Sequence, residues 1–314
     1  MNAEQRVPRR NEAPAGDAGT VARGSRRVTP AAKDRTAREI GAAAGGKPLV
    51  VKLGGRALEA PGAPEAFAAA LARLSRVALL VHGGGAEVTA WCGRLGIETR
   101  FEGGLRVTDA ATLEVAAAVL AGLANKRLVA ALRVLGVDAV GLAALDGGTI
   151  VAAPHARAAT LGAVGEVRAV DASLLHTLLA QGRTPVVASI ASDADGRLLN
   201  LNADDAAAAL AVAVGADDLV LLSDAPGVVI DGAIVPRLPL ADLDATLARP
   251  DVTGGMLPKL RAAGEAARGG VARVHIGAWN GPGTLAAILG GGAAGTTLVA
   301  SAGRQLTATE DVHA

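Results

Sequence analysis

Two lysines and a cluster of amides and carboxylates stand where structural needs alone do not put them. Lys52 interrupts the run Leu49-Val50-Val51-Lys52-Leu53 and is followed at once by Gly54-Gly55. A lysine in an otherwise apolar strand loses a large solvation free energy unless something negative meets it. Lys259 follows Gly254-Gly255-Met256-Leu257-Pro258, which sets it in the first turn of a helix. A cation there opposes the helix dipole, so structure disfavours it. Asn200-Leu201-Asn202-Ala203-Asp204-Asp205 opens an alanine-rich helix and carries more Asn and Asp than an N-cap requires. Gly103-Gly104-Leu105-Arg106 puts an arginine beside glycine, with the fork that suits a carboxylate. Val81-His82-Gly83-Gly84-Gly85 ends a strand in glycines and leads into a helix, where backbone N–H groups and the helix N-terminus attract anions. The chemistry these residues offer is the handling of phosphate and carboxylate by fixed charge. The plain alternatives are a Lys52 that snorkels from an edge strand and an Asn/Asp cluster that only caps its helix.

Rigid elements must hold these groups. From Pro48 onward, short apolar runs at 49–53, 77–81, 184–190, 219–222 and 271–276 alternate with helical patterns near 64–74, 85–95, 202–214 and 256–268. Strands apolar on both faces and separated by helices form a parallel sheet covered on two sides. Hairpin-like pieces interleave at 99–107, 149–170 and 228–235. The reading is α/β in two lobes. Ligands of open parallel sheets sit at the carboxyl ends of the strands, and both glycine runs fall there.

Composition removes several classes. The 314 residues hold 31 Lys+Arg and 30 Asp+Glu, a formal net charge of +1, too even for a nucleic-acid binder. That balance is an average: residues 1–47 hold ten basic and five acidic side chains, and the remainder is net −4. The 1–47 segment has too little apolar surface to order itself and reads as a solvated arm, the sharper alternative being a basic arm for an acidic partner. Aromatics amount to 1%, namely Phe67, Trp91, Phe101 and Trp279, so stacking on bases is no main device and the core must be Ala, Val and Leu. A lone Cys92 excludes a disulfide framework and a cysteine-cluster zinc site, and it points to a reducing, cytoplasmic compartment. The longest charge-free run, between Arg273 and Arg304, is broken by eight glycines and a proline, and no stretch reads as membrane-spanning.

Two glycine patterns are decoys. Gly41-x4-Gly46-Lys47 nearly spells a P-loop, but Pro48 replaces the required Ser/Thr and the run precedes its strand. Gly290-x-Gly292-x-x-Gly295 opens into a strand, Thr296-Thr297-Leu298-Val299, with no helix to receive a pyrophosphate. The five histidines keep no metal-ligand spacing, and His82 and His275 read as packed or hydrogen-bonded side chains.

The ordered series "VVKLGG", "LVHGGGAEV", "GGLRVTD", "LAGLANK", "AVGL…DG", "LGAVGEV", "LNLNADDAA", "LLSDAPGV", "GGMLPK" and "AAGTTLVA" resembles the amino acid kinase family, over about Pro48 to Ala302. The resemblance implies a three-layer α/β sandwich around an open, mainly parallel sheet, with an N-lobe for the amino-acid substrate over 48–215, a C-lobe for the nucleotide over 216–302 and a tail at 303–314. It implies ATP-dependent phosphorylation of a carboxylate, specifically the γ-carboxylate of N-acetyl-L-glutamate in arginine biosynthesis, with Mg²⁺ carried by the nucleotide and no metal ligands of the protein's own.

By the same resemblance, Lys52 and Lys259 stabilise the transferring phosphoryl group and Asp204 holds the two lysines. Gly54, Gly55, Gly84 and Gly85 lend backbone N–H groups to phosphoryl and substrate, and Arg106 and Asn200 bind the substrate's α-carboxylate and nearby polar atoms. Asp224, Ala225, Pro226, Gly227, Val228 and Val229, with Val252 and Thr253, line the nucleotide site. The region "VHIGAWNGPGTLAAILGGGAAGTTLVA" resembles dimeric members insensitive to arginine, which implies a homodimer. Gly103 stands where an Asn is common, and Ala225-Pro226 alters the nucleotide loop; neither removes a charge the chemistry needs. The competing readings are a sibling kinase for carrier-protein-linked aminoadipate or glutamate, and a non-catalytic nucleotide or amino-acid sensor on the same scaffold.

Overall fold

The computed structural model describes residues 46–54, 60–74, 76–291 and 294–299. The expected 1–47 arm, apart from Gly46 and Lys47, lies outside the described residues, as do Gly55 and the 303–314 tail. In chain order the strands are β1 (Leu49–Leu53), β2 (Ala78–His82), β3 (Phe101–Glu102), β4 (Leu105–Arg106), β5 (Ala139–Ala143), β6 (Ile150–Pro154), β7 (Val164–Val170), β8 (Thr184–Ala188), β9 (Ile190–Ser192), β10 (Leu198–Leu201), β11 (Asp218–Ser223), β12 (Val229–Ile230), β13 (Ala233–Ile234), β14 (Arg237–Pro239), β15 (Arg273–Ala278) and β16 (Thr296–Val299). The helices are α1 (Ala63–Ala72), α2 (Gly85–Arg94), α3 (Ala110–Ala117), α4 (Asn125–Val134), α5 (Ala158–Leu161), α6 (Ser173–Ala180), α7 (Ala203–Ala213), α8 (Leu243–Leu247), α9 (Met256–Arg268) and α10 (Thr284–Leu289).

The strand that carries Lys52 is central, not an edge. The main sheet runs β14-β16-β15-β11-β1-β2-β8-β5, and β1 pairs in parallel with β11 on one side and β2 on the other. Among the described residues of this sheet, only β15 and β16 pair antiparallel. Side chains alternate across a strand, and the core divides accordingly. Leu49, Val51 and Leu53 pack with Phe67 of α1, Leu128 and Leu132 of α4 and Leu285 of α10. Val50 faces the opposite way, onto Leu175 of α6, the alanines of α7 and Leu260 of α9. Lys52 shares the parity of Val50 and is thereby turned to the layer that supplies Asp204 and Lys259. That is a three-layer α/β sandwich about a mainly parallel sheet. Helix α7 packs on α9, and both helices feed mainly alanines into the shared core, among them Ala206, Ala207, Ala211, Ala262, Ala263 and Ala266, which lets them approach closely.

Above this sheet, β9, β10, β7 and β6 curl until β6 and β9 meet at Val151 and Ser192, while β3 and β4 form a separate hairpin. One long helical run was not placed by the sequence reading. Residues 110–134 form a single helix, with a π turn at Ala118–Ala124 between α3 and α4, that is long and apolar enough to cross a membrane. Glu114, Lys126, Arg127 and Arg133 hide it from a search for charge-free runs. Half of its apolar window is buried within the protein, where it contributes Leu128 and Leu132 to the core.

Charge also organises the end of the sheet away from the glycine runs. Asp218, first residue of β11 and 1% exposed, accepts hydrogen bonds from Arg76 (Nη1, 2.6 Å), Arg273 (Nε, 2.6 Å; Nη2, 2.9 Å) and His275 (Nε2, 3.2 Å). Burial alone would raise its carboxyl, but the bonds from His275, Arg273 and Arg76 hold it far below the ordinary carboxylate range. Asp218→Ala should therefore destabilise the fold by about 3 kcal/mol, the low end for breaking a buried pair, because both arginines can turn to solvent. Urea unfolding measures this, and an unchanged midpoint would contradict it.

Candidate active site

Three charged side chains from three elements meet over the β1–β11 junction. Lys52 Nζ lies 2.9 Å from Asp204 Oδ1, and Lys259 Nζ donates to Asp204 Oδ2 at 2.7 Å. The three residues are only 8%, 7% and 5% exposed for Lys52, Asp204 and Lys259 respectively. The Lys52 contact is an ion pair off good hydrogen-bond direction, so Asp204 Oδ1 lacks a directed donor while Oδ2 has one. Burial pushes the Asp204 carboxyl up, yet Lys52 and Lys259 more than reverse this and hold it at about 2. For Lys259 the balance goes the other way: burial and the neighbouring Lys52 lower its pKa more than Asp204 raises it. Two cations thus share one anion, and the excess positive charge awaits a negative ligand.

The helix opening that supplies Asp204 divides its labour among neighbours. Asn202 is the N-cap, its Oδ1 accepting from Asp204 N at 2.8 Å. Asn200, on β10, donates from Nδ2 to Thr108 Oγ1 at 3.3 Å. Asp205 is solvent-exposed and lines a different cavity of about 1320 Å³ between β7, α7 and α9, where partial desolvation followed by Asp204, Glu166 and Glu265 raises its carboxyl above the ordinary value. That larger cavity contains none of Lys52, Asp204 or Arg106.

A smaller cavity of about 320 Å³ is lined by Lys52, Gly54, Gly84, Gly85, Arg106, Asn200 and Asp204. Gly54 leaves room for the ammonium there, because a Cβ would stand 2.7 Å from Lys52 Nζ and the lysine would have to shift. Gly84 adopts φ +157 as the residue before α2, and a Cβ would come within 2.9 Å of Leu120. Arg106 closes another wall. Its Nη2 donates to Gly85 O at 2.6 Å and Thr89 Oγ1 at 2.8 Å, and its guanidinium lies 4.6 Å from the Phe101 ring centroid. Arg106 Nη1 is buried without a hydrogen-bond partner among the described residues. A guanidinium held on one nitrogen and unsatisfied on the other is prepared for an anion.

The segment from Asp224 to Val229 does not line this cavity; it leaves the carboxyl end of β11 beside it. Val228 N donates to Thr296 Oγ1 at 2.8 Å, and Val228 and Val252 both belong to the core cluster on the α7–α9 side of the sheet. Asp224, Pro226 and Thr253 are exposed, and Ala225 N donates to Ser223 Oγ at 3.2 Å. Arg249 ties the β12–β13 hairpin to this region through Asp231 (2.8 Å) and Asp251 (2.9 Å). Sequence reasoning did not single out Thr89, Phe101, Thr108 or Thr296. Thr108 and Thr296 stand within the quoted "GLRVTD" and "AAGTTLVA" runs, which was the available signal; Thr89 and Phe101 gave none.

Glycine strand ends facing a lysine–aspartate–lysine cluster define an α/β protein whose site gathers two cations around one buried carboxylate. The Amino acid kinase family model matches residues 47–278. The acetylglutamate kinase of Rubrobacter xylanophilus is 47% identical over 249 residues, covering 79% of this chain and 95% of that one. The acetylglutamate kinase of Methanopyrus kandleri is 45% identical over 230 residues, covering 70% of this chain and 91% of that one. In fold, the chain is similar to the carbamate kinase from Giardia lamblia bound to AMP-PNP, with a TM-score of 0.62 at 17% identity over 81% of this chain and 99% of that chain. The chain belongs to the amino acid kinase family, and it is a kinase.

Proposed function

We propose that the protein transfers the γ-phosphoryl group of ATP to the γ-carboxylate of N-acetyl-L-glutamate, giving N-acetyl-L-glutamyl 5-phosphate, as a cytoplasmic homodimer in arginine biosynthesis. The observation that carries this reading is the Lys52–Asp204–Lys259 cluster, of which Lys52 and Asp204 line one cavity together with Arg106 and its unsatisfied nitrogen. The names of the relatives supply the substrate.

A γ-carboxylate is ionised at pH 7 and needs no general base. One of its oxygens attacks the γ-phosphorus, the bond from that phosphorus to the β–γ bridging oxygen breaks, and ADP departs with the electron pair. Lys52 and Lys259 bear on the phosphoryl oxygens, where charge is concentrated in flight, and Asp204 keeps both ammoniums aimed. Gly54, Gly84 and Gly85 offer backbone N–H groups, and Gly55, outside the described residues, joins them in this proposal. Arg106 and Asn200 take the α-carboxylate and neighbouring polar atoms. Residues 224–229 with Val252 and Thr253 cradle the nucleotide. A magnesium ion, when bound, would neutralise charge on the nucleotide phosphates. Among the described residues no three His, Cys, Asp or Glu side chains cluster to hold a metal, and Asp204 is engaged by its lysines, so nucleotide oxygens would carry the ion.

Acyl phosphate trapped with hydroxylamine, measured across N-acetylglutamate, glutamate, aspartate and carrier-linked aminoadipate, tests the substrate, and absence of product with N-acetylglutamate overturns it. Light scattering of the purified chain tests the homodimer. Arg106→Ala should raise KM for the amino-acid substrate by roughly 10–100-fold, the worth of a charged hydrogen bond, with a smaller effect on kcat. A normal KM in that variant would remove Arg106 from carboxylate binding.

A further inference from the structure

The glycine turn at the end of β2 has no side chains with which to fix itself, yet Gly84 and Gly85 line the cavity. Glycine there gains access for a ligand at the cost of conformational freedom that something else must remove. The residue before the turn, His82, is fully buried and lines no part of the cavity. Its Nδ1 is 2.9 Å from Gly83 O, and its Nε2 is 3.1 Å from Asn125 Nδ2.

The protonation of this ring follows from its partners. Asn125 Nδ2 also meets Val186 O at 2.8 Å and Leu142 O at 3.3 Å, both of which can only accept. Asn125 Oδ1 in turn accepts from Lys126 Nζ at 3.0 Å. The amide is therefore oriented with nitrogen toward the imidazole, and its two N–H groups serve the two shorter contacts, to Val186 O and Nε2, so that Nε2 accepts and Nδ1 carries the proton. The Gly83 carbonyl independently demands a donor at Nδ1. Burial, the largest influence, holds the imidazole down at about 4, so the ring is neutral at pH 7.

We propose that His82 and Asn125 are positioning residues: Asn125 sets the tautomer of His82, and that tautomer holds the Gly83 carbonyl and so orients the Gly84 amide in the phosphoryl cavity. The link is covalent geometry. Gly83 C=O and Gly84 N–H belong to one planar peptide unit, and no peptide bond among the described residues is cis. A carbonyl held toward the ring directs the N–H to the opposite side. The π turn Ala118–Ala124 supports the same device from its other end. It delivers Leu120 against Gly84 and returns to α-helix at Asn125, which is itself fully buried. The role of the turn in catalysis rests on the carboxylate-kinase reading above; the tautomer does not.

Three measurements on the full chain test this. Ring ¹⁵N spectra of histidine-labelled wild type, with the His82 signal assigned by its loss in His82→Asn, should show the proton on Nδ1. Turnover should fall roughly 10–100-fold in His82→Gln, whose amide reaches the Nε2 position and leaves Gly83 O without a donor. His82→Asn places an amide nitrogen where Nδ1 stood and should recover most of that kcat, with nucleotide KM unchanged in both variants. A proton on Nε2 in folded wild type overturns the proposal whatever the substrate proves to be. Equal loss of kcat in the two folded variants also overturns it, and if either variant fails to fold, the wild-type tautomer decides.

Discussion

Replacing Asp204 with asparagine should lower stability by about 3–5 kcal/mol and remove most turnover together. Lys52 and Lys259 converge on the two oxygens of one carboxylate at 2.9 and 2.7 Å, and neither lysine is more than a tenth exposed. Without the negative charge, two buried ammoniums face each other with no counterion. The less costly response is for one lysine to lose its proton, and Lys259, whose pKa burial and Lys52 already lower, is the one to yield. A neutral lysine no longer bears on phosphoryl charge, so folding and catalysis fail from one cause. The pH dependence has a definite sign. The folded pKa of Asp204, about 2, lies below its ordinary 3.8, so its contribution is complete above the ordinary value and is lost as pH falls through about 2. The stability gap between wild type and Asp204→Asn should accordingly narrow only in strong acid. Denaturant midpoints across pH measure it, and a variant as stable and active as wild type at neutral pH would show that the cluster is not held by charge.

What could be read from the sequence follows from whether a signal is local. Lys52 was legible because it breaks an apolar strand, and its direction follows from sharing parity with Val50. Helix α9 was legible to the residue at both ends, with its glycine pair before Met256 and a Gly269-Gly270 pair after Arg268. Within Asn200 to Asp205, by contrast, four side chains of similar chemistry compete. Helical geometry in three dimensions was needed to send Asp204 to the lysines, Asn202 to the cap and Asp205 to another cavity. The 110–134 helix escaped because its charges and its π turn interrupt the regular apolar period that marks a helix. Thr296 escaped because its contact with Val228 spans 68 positions, and a hydroxyl in a strand gives no local hint of such a partner. The space that Gly54 leaves for the Lys52 ammonium is likewise invisible without the position of that ammonium.

Lys259→Ala should behave differently in kind: kcat falls roughly 10²–10³-fold, the cost of deleting one electrostatic stabiliser, while the fold survives. The truncation leaves Asp204 paired with Lys52, so no buried charge is stranded. It also removes a cation that sits in the first turn of α9, against the helix dipole, and whose charged form burial already disfavours. Loss of turnover with an intact melting transition would separate the chemical role of this lysine from the structural one that Asp204 combines with it. KM for the amino-acid substrate should stay near wild type, because the proposal gives the substrate's α-carboxylate to Arg106 and Asn200, not to Lys259. The lowered pKa of Lys259 adds an independent signature. In wild type the alkaline limb of kcat/KM should fall at lower pH than an ordinary lysine would give, and in Lys259→Ala that limb should vanish. Unchanged turnover would take Lys259 out of the mechanism, and an alkaline limb that persists in the variant would assign that ionisation to another group.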